Sequence, residues 1–169
     1  MTVLAGLRCV DGAVLACDAQ ETRGNYFRFW PKANLVGKQF VTLYAGDSTL
    51  GETFARRLGT ALREADKDGP VDQPKAVELI EQVIFAMARE GGDDAIKGRQ
   101  ILIGGATSGG DLCLWAVDQD QIYLREMRTW ECYGSGIDAA ERLLFPRHNN
   151  PGSQPFACLC HKLGQRNMP

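Results

Sequence analysis

Runs of small and β-branched apolar residues over Thr2–Cys9 and Ala13–Asp18, parted by Asp11-Gly12, predict two strands joined as a hairpin. A further extended segment is expected over Asn25–Trp30. Ala33–Val36 then turns through Gly37-Lys38 into Gln39–Ala45, again in hairpin fashion. The pattern changes at Gly46-Asp47. From Ser48 onward Leu50, Phe54, Leu58 and Leu62 recur every fourth residue with arginines on the other faces, the signature of an amphipathic helix that Asp47 or Ser48 can cap. After the polar link Asp66–Gln73, Pro74 opens a second helix, whose stripe of Val77, Ile80, Ile84 and Met87 ends before Gly91-Gly92.

Strand character returns at Gln100–Ile103, Leu112–Val117, Ile122–Met127 and Trp130–Tyr133, with turns at Ser108–Asp111 and Asp118–Gln121, and predicts a four-strand meander. A helix is expected from Ile137 to Leu144. Another is expected from Ser153, with Phe156, Leu159, Cys160 and Leu163 on one face. Strands, two helices, strands and two helices predict an α+β domain in which two antiparallel sheets stack face to face between helices.

Composition narrows the function. The 169 residues, 44% hydrophobic, suit one domain over 1–169 with a sizeable core. A formal net charge of −2 with interspersed charges argues against nucleic acid or an anionic membrane as partner. No apolar run approaches a membrane span and no basic leader precedes the first one, so a cytoplasmic protein is expected. Cys9, Cys17, Cys113, Cys132, Cys158 and Cys160 read as reduced, largely buried thiols. Cys158, Cys160 and His161 cannot readily share an ion, because positions i and i+2 of a helix point to nearly opposite sides. No metal is expected. Gly104-Gly105 and Gly109-Gly110 lack the Gly-Lys-Ser/Thr ending of a phosphate loop, and His148 and His161 have no partnered motif, so no cofactor is expected either.

The chemistry starts at Thr2. Removal of Met1 leaves a threonine that carries both a hydroxyl and a free α-amine, which titrates at about 7.7–8.0 and can take the hydroxyl proton at cellular pH. One residue then supplies nucleophile and base.

The ungapped stretch Thr2-Val3-Leu4-Ala5-Gly6-Leu7-Arg8-Cys9-Val10-Asp11-Gly12-Ala13-Val14-Leu15-Ala16-Cys17-Asp18 resembles the opening of proteasome β-type subunits and their bacterial HslV-like relatives, the N-terminal-nucleophile hydrolases. The resemblance continues through Thr22-x-Gly24-Asn25, Lys32, Tyr44-Ala45-Gly46, Leu102-Ile103-Gly104-Gly105 and Tyr133-Gly134-Ser135-Gly136.

It implies a four-layer αββα sandwich and a threonine-type endopeptidase. Thr2 is implied as nucleophile, Asp18 and Lys32 as a charged pair beside it, Gly46 as oxyanion donor and Ser135 as partner of the Thr2 amine. Glu21, Thr22, Trp30, Asn34, Tyr44 and Ser48 are implied around the substrate pocket, where Trp30 and Tyr44 favour apolar side chains. Polypeptide or peptide substrates, a homo-oligomeric ring and an ATPase unfoldase are the implied partners. An inactive ring subunit and an amidohydrolase acting on a small amide are the alternatives. Family members continue beyond the position of Asn167-Met168-Pro169 into a further strand and loop, so a C-terminally truncated form lacking the last strands is expected.

Overall fold

A computed structural model describes residues 2–9, 12–23, 26–69, 71–91, 100–117 and 123–138. The chain opens with β1 (Leu4–Arg8) and β2 (Ala13–Cys17), an antiparallel pair in which Leu4 opposes Cys17 and Arg8 opposes Ala13. Next come β3 (Gln20–Arg23) and β4 (Tyr26–Phe29), a two-stranded hairpin in neither of the larger sheets. The hydrophobic pattern reveals β4 but not β3, because Gln-Glu-Thr-Arg has no apolar face to betray a strand. Tyr26 and Phe29 of this hairpin are exposed.

The larger sheet begins with β5 (Ala33–Val36) and β6 (Phe40–Ala45) and continues, after two helices, with β7 (Gln100–Ala106), β8 (Leu112–Val117) and β9 (Leu124–Glu126), all antiparallel in that spatial order. The fourth strand expected in the meander, β10 (Trp130–Tyr133), leaves it. β10 pairs instead with β1, Leu4 opposite Tyr133, and completes a three-stranded sheet in the order β10-β1-β2. Backbone hydrogen-bonding capacity on the free side of β1 decides this, since β1 must pair on both sides once it is buried.

Helix α1 (Ser48–Ala65) starts where Asp47 accepts hydrogen bonds from the Thr49 and Leu50 amides at 2.8 and 3.4 Å. Helix α2 (Gln73–Gly91) carries Pro74 in its first turn, where a missing amide proton costs nothing. Both lie on one face of the five-stranded sheet. Phe54, Leu58 and Leu62 of α1 and Leu79, Ile80 and Ile84 of α2 meet Val36, Phe40, Tyr44, Ile103 and Trp115 there.

The opposite face of the same sheet, with Leu43, Leu102, Leu114 and Ala116, packs on Leu4, Leu15 and Cys17 of the three-stranded sheet. Among the described residues the molecule is therefore a mixed α+β arrangement of two helices and two stacked antiparallel sheets. Ala5, Leu7 and Cys132 form a further apolar cluster on the outer face of the small sheet, with Ile137 against it. The helices expected over Ile137–Leu144 and from Ser153 lie outside the described residues beyond Asp138, as do Cys158, Cys160, His148 and His161.

Close approach of α1 to the sheet depends on Gly51. A Cβ there would lie 2.1 Å from Cγ of the Tyr44 ring. Gly51→Ala is expected to destabilise the protein by about 1–3 kcal/mol, as overpacking does, despite the higher helix propensity of alanine. Chemical denaturation checks this, and a stability gain would show that the ring yields freely.

Candidate active site

β1 brings Thr2 to a defined place because the residues after it are buried on both faces of the small sheet. The strand pairing extends past the last β1–β2 partners: the Asp18 amide donates to the Val3 carbonyl at 3.1 Å, and the Val3 amide donates to Asp18 Oδ1 at 2.9 Å. Asp18 is thereby pinned next to the threonine at both backbone and side chain.

Lys32 reaches the same point from the lead-in to β5. The Tyr44 amide donates to the Lys32 carbonyl at 3.2 Å, one rung beyond the Ala33–Leu43 pair, and the Tyr44 hydroxyl donates to the Pro31 carbonyl at 3.2 Å. The lysine side chain, only 6% exposed, donates to both Asp18 oxygens at 2.9 Å and to Thr2 Oγ1 at 3.1 Å. An ammonium has three protons, and these three acceptors match them.

Burial by itself raises the affinity of Asp18 for a proton. Hydrogen bonds from the Val3 amide, the Lys32 ammonium and the Gln20 amide outweigh it and hold the carboxyl below its ordinary value. Asp18 is therefore an anion, and Lys32 is charge-paired within hydrogen-bond distance of the threonine hydroxyl.

The other side of Thr2 faces the turn after β10. The Thr2 nitrogen donates to Ser135 Oγ at 2.8 Å, and the Gly136 amide donates to the Thr2 carbonyl at 3.0 Å. Gly134 makes this grip possible. Its φ is +97°, and a Cβ on it would lie 2.3 Å from the Thr2 carbonyl oxygen. The Gly134-Ser135-Gly136 run thus wraps the Thr2 backbone closely, with glycine where the chain meets the Thr2 carbonyl.

Four of the sequence-predicted residues, Thr2, Asp18, Lys32 and Ser135, form one hydrogen-bonded set spanning 133 positions of chain. Gly46 lies outside that set. It is exposed, with φ +104°, where β6 turns into the Asp47 cap of α1.

The pocket residues divide. Trp30 is half-buried: its amide donates to the Ala19 carbonyl at 2.7 Å, its Nε1 donates to Glu52 Oε1 at 2.6 Å, and the Arg28 guanidinium lies 4.2 Å over its ring. Tyr44 and Ser48 are buried, and Asn34 stands opposite Thr42 on neighbouring strands. The buried Asn34 Nδ2 and Thr42 Oγ1 have no hydrogen-bond partner. Glu21 and Thr22 lie in β3, and their side chains are outside the described residues.

Glu52 escaped the sequence reading. It follows Ser48 by four residues in α1, so helical spacing could have placed it on the same face.

Burial, reinforced by Asp18 and partly offset by Lys32, pushes the Cys17 thiol up, and burial pushes Cys113 to about 11. Among the described residues no group of three or more metal-ligating side chains gathers, and no helix is long and apolar enough to cross a membrane. What the arrangement can do is hold a threonine hydroxyl against a cation and its main-chain nitrogen against a hydroxyl acceptor.

No protein-family model and no curated protein sequence matches the chain.

The depressed Asp18 carboxyl carries a sign. Its contribution to stability is fully present above the unfolded value near 3.8 and is lost as pH falls through the lower folded value. Asp18→Asn leaves the buried Lys32 ammonium without its carboxylate and should cost about 3 kcal/mol at neutral pH. That deficit should shrink below about pH 4, where the wild-type carboxyl of the unfolded chain is protonated. Urea unfolding at several pH values tests it, and an equal deficit at pH 7 and pH 3 would show that charge is not what Asp18 contributes.

Proposed function

We propose that the chain is a threonine-type N-terminal-nucleophile peptidase subunit of proteasome-like or HslV-like character, hydrolysing peptide bonds with Thr2 once the Met1–Thr2 bond is cleaved. The observation that carries this reading is the pair of contacts on Thr2, with Lys32 Nζ at 3.1 Å from its hydroxyl oxygen and Ser135 Oγ at 2.8 Å from its nitrogen. A surface threonine has no need of a buried ion pair on its hydroxyl. Two stacked sheets under two helices are compatible with the αββα sandwich of such hydrolases, the remaining layer being the helices expected after Gly136.

In this mechanism the neutral α-amine takes the Thr2 hydroxyl proton, directly or through a water, and Oγ1 forms a bond to the substrate carbonyl carbon. The Lys32 ammonium stabilises negative charge on Oγ1 and lowers the proton affinity of the amine, while Asp18 holds the lysine in place. The Gly46 amide faces the carbonyl oxygen as its charge develops. The proton then passes from the Thr2 amine to the leaving amine as the C–N bond breaks. Water attacks the resulting ester by the same route and restores the threonine. Ser135 holds the amine with its lone pair toward the hydroxyl.

Unfolded polypeptides or peptides are the substrates, confined within a ring of copies to which an ATPase unfoldase can deliver them. Trp30, Asn34 of β5, Tyr44 of β6 and Ser48 and Glu52 of α1, on the segments around Lys32, line the side-chain pocket.

Fluorogenic peptide turnover tests the proposal, together with intact mass to establish the free Thr2. Thr2→Ala should abolish turnover while the fold is kept, the loss of one acceptor of the buried Lys32 ammonium costing about 1–3 kcal/mol. Turnover retained in Thr2→Ala would move the nucleophile elsewhere. Turnover of small amides but not of peptides would replace the peptidase with an amidohydrolase.

Lys32→Ala should lower kcat by about 10²–10³-fold, the usual effect of removing one preorganised charge-stabilising donor. Lys32→Arg should not restore it, because a planar guanidinium cannot present three converging protons in the space of an ammonium. Full activity in Lys32→Ala would make the Thr2 contact incidental.

A further inference from the structure

A second polar cluster, absent from the mechanism above, lies between the two sheets. Arg125 is on β9 of the large sheet, opposite Ala116, whose side chain faces the small sheet. Glu131 and Tyr133 are on β10 of the small sheet, two residues apart and so on the same face. The Arg125 guanidinium donates through both terminal nitrogens to the two Glu131 oxygens, and its Nη2 also donates to the Tyr133 hydroxyl at 2.7 Å. The Tyr133 hydroxyl donates in turn to Glu131 Oε2. The three side chains close a ring. All are partly buried, and although burial opposes it, Arg125 and Tyr133 together hold the Glu131 carboxyl below its ordinary value.

Tyr133 is the residue immediately before Gly134-Ser135-Gly136. Among the described residues β10 pairs with β1, and Tyr133 at the start of that turn is held by its backbone pairing with Leu4, by packing on the apolar layer between the sheets and by its side chain in the ring. Gly134, at φ +97°, has no side chain to stiffen the path between Tyr133 and Ser135. A closed, bidentate, charge-assisted ring is rigid in both distance and angle, unlike an apolar contact of similar size.

We propose that Arg125, Glu131 and Tyr133 are positioning residues that fix the Ser135 hydroxyl on the Thr2 nitrogen by tying β10 to β9 across the sheet interface. The catalytic consequence rests on the threonine-nucleophile reading; the positioning itself does not. Loosening the ring lets the turn shift, and a shift of a fraction of an ångström breaks a hydrogen bond that now spans 2.8 Å.

The test uses the full chain with the Met1–Thr2 bond cleaved, labelled with ¹⁵N-threonine. Tyr133→Phe keeps the ring volume and removes one bond pair, whereas Glu131→Gln keeps the shape and removes the charge. In both variants the Thr2 nitrogen resonance should move toward its position in Ser135→Ala. Peptide kcat and the rate of Thr2 acylation by a β-lactone probe, followed by intact mass, should fall about tenfold with KM nearly constant, and Ser135→Ala should abolish the further effect of Tyr133→Phe.

An unmoved Thr2 resonance overturns the proposal whatever the activity. So does a rate loss that persists undiminished in the Ser135→Ala background, since the ring would then act by another route. A parent protein that neither turns over peptide nor is acylated, but whose Thr2 resonance moves with Tyr133→Phe, would refute the peptidase reading and leave the positioning role standing.

Discussion

Everything in this molecule hangs on the apolar contact between the two sheets. Leu4 of the small sheet and Leu102 and Leu114 of the large one are completely buried against each other, and each contributes about 1.5–3 kcal/mol by leaving water. The contact is tight because the sheets meet through glycine: a Cβ on Gly104 would lie 2.3 Å from Leu15 Cδ1. It also fixes the candidate site, since β1 has Leu4 in this layer and Ala5 and Leu7 in the cluster on its other face. A strand gripped on both faces cannot twist or slide, so the residue at its head is delivered to one place.

Against that apolar background the Lys32–Asp18 pair is costly. Removing an ammonium from water is repaid only when its protons all find acceptors, and here two carboxylate oxygens and one threonine hydroxyl supply them. Asp18 in turn accepts from the Val3 and Gln20 amides, so its charge is stabilised by the backbone that carries the threonine. The pair is therefore preorganised by the sheet pairing itself. A purely structural solution with apolar side chains would be at least as stable, which is why a buried ion pair aimed at a hydroxyl argues for chemistry. The Arg125–Glu131–Tyr133 ring follows the same logic one layer away, spending charge where geometry must be held.

Much of the architecture could be read from local pattern. The four-residue repeat of Leu50, Phe54, Leu58 and Leu62 and the Asp47 cap specify α1 almost completely, and Pro74 marks the first turn of α2. The strands on either side of Asp11-Gly12 pair as expected, and so do those joined through Gly37-Lys38. Strand β3 was invisible because its residues are all polar and its neighbour β4 supplies the pairing. The departure of β10 from the meander was equally hidden, since a strand in either sheet has the same alternation and only the vacancy beside β1 selects one.

The sequence by itself determined the chemical types at the site: a threonine with a removable methionine before it, one aspartate at a strand end, one lysine before a strand, and a serine between two glycines. Family resemblance could nominate them, but no local pattern measures whether Lys32 reaches Thr2 across 30 residues or Ser135 across 133. Tertiary structure decided that, together with the contacts of Glu52 with Trp30 and of Arg125 with Glu131 and Tyr133, which cross between elements. The physical reason is that periodicity records which face of an element avoids water, whereas a site is built from the few polar groups that the packing of those faces forces together.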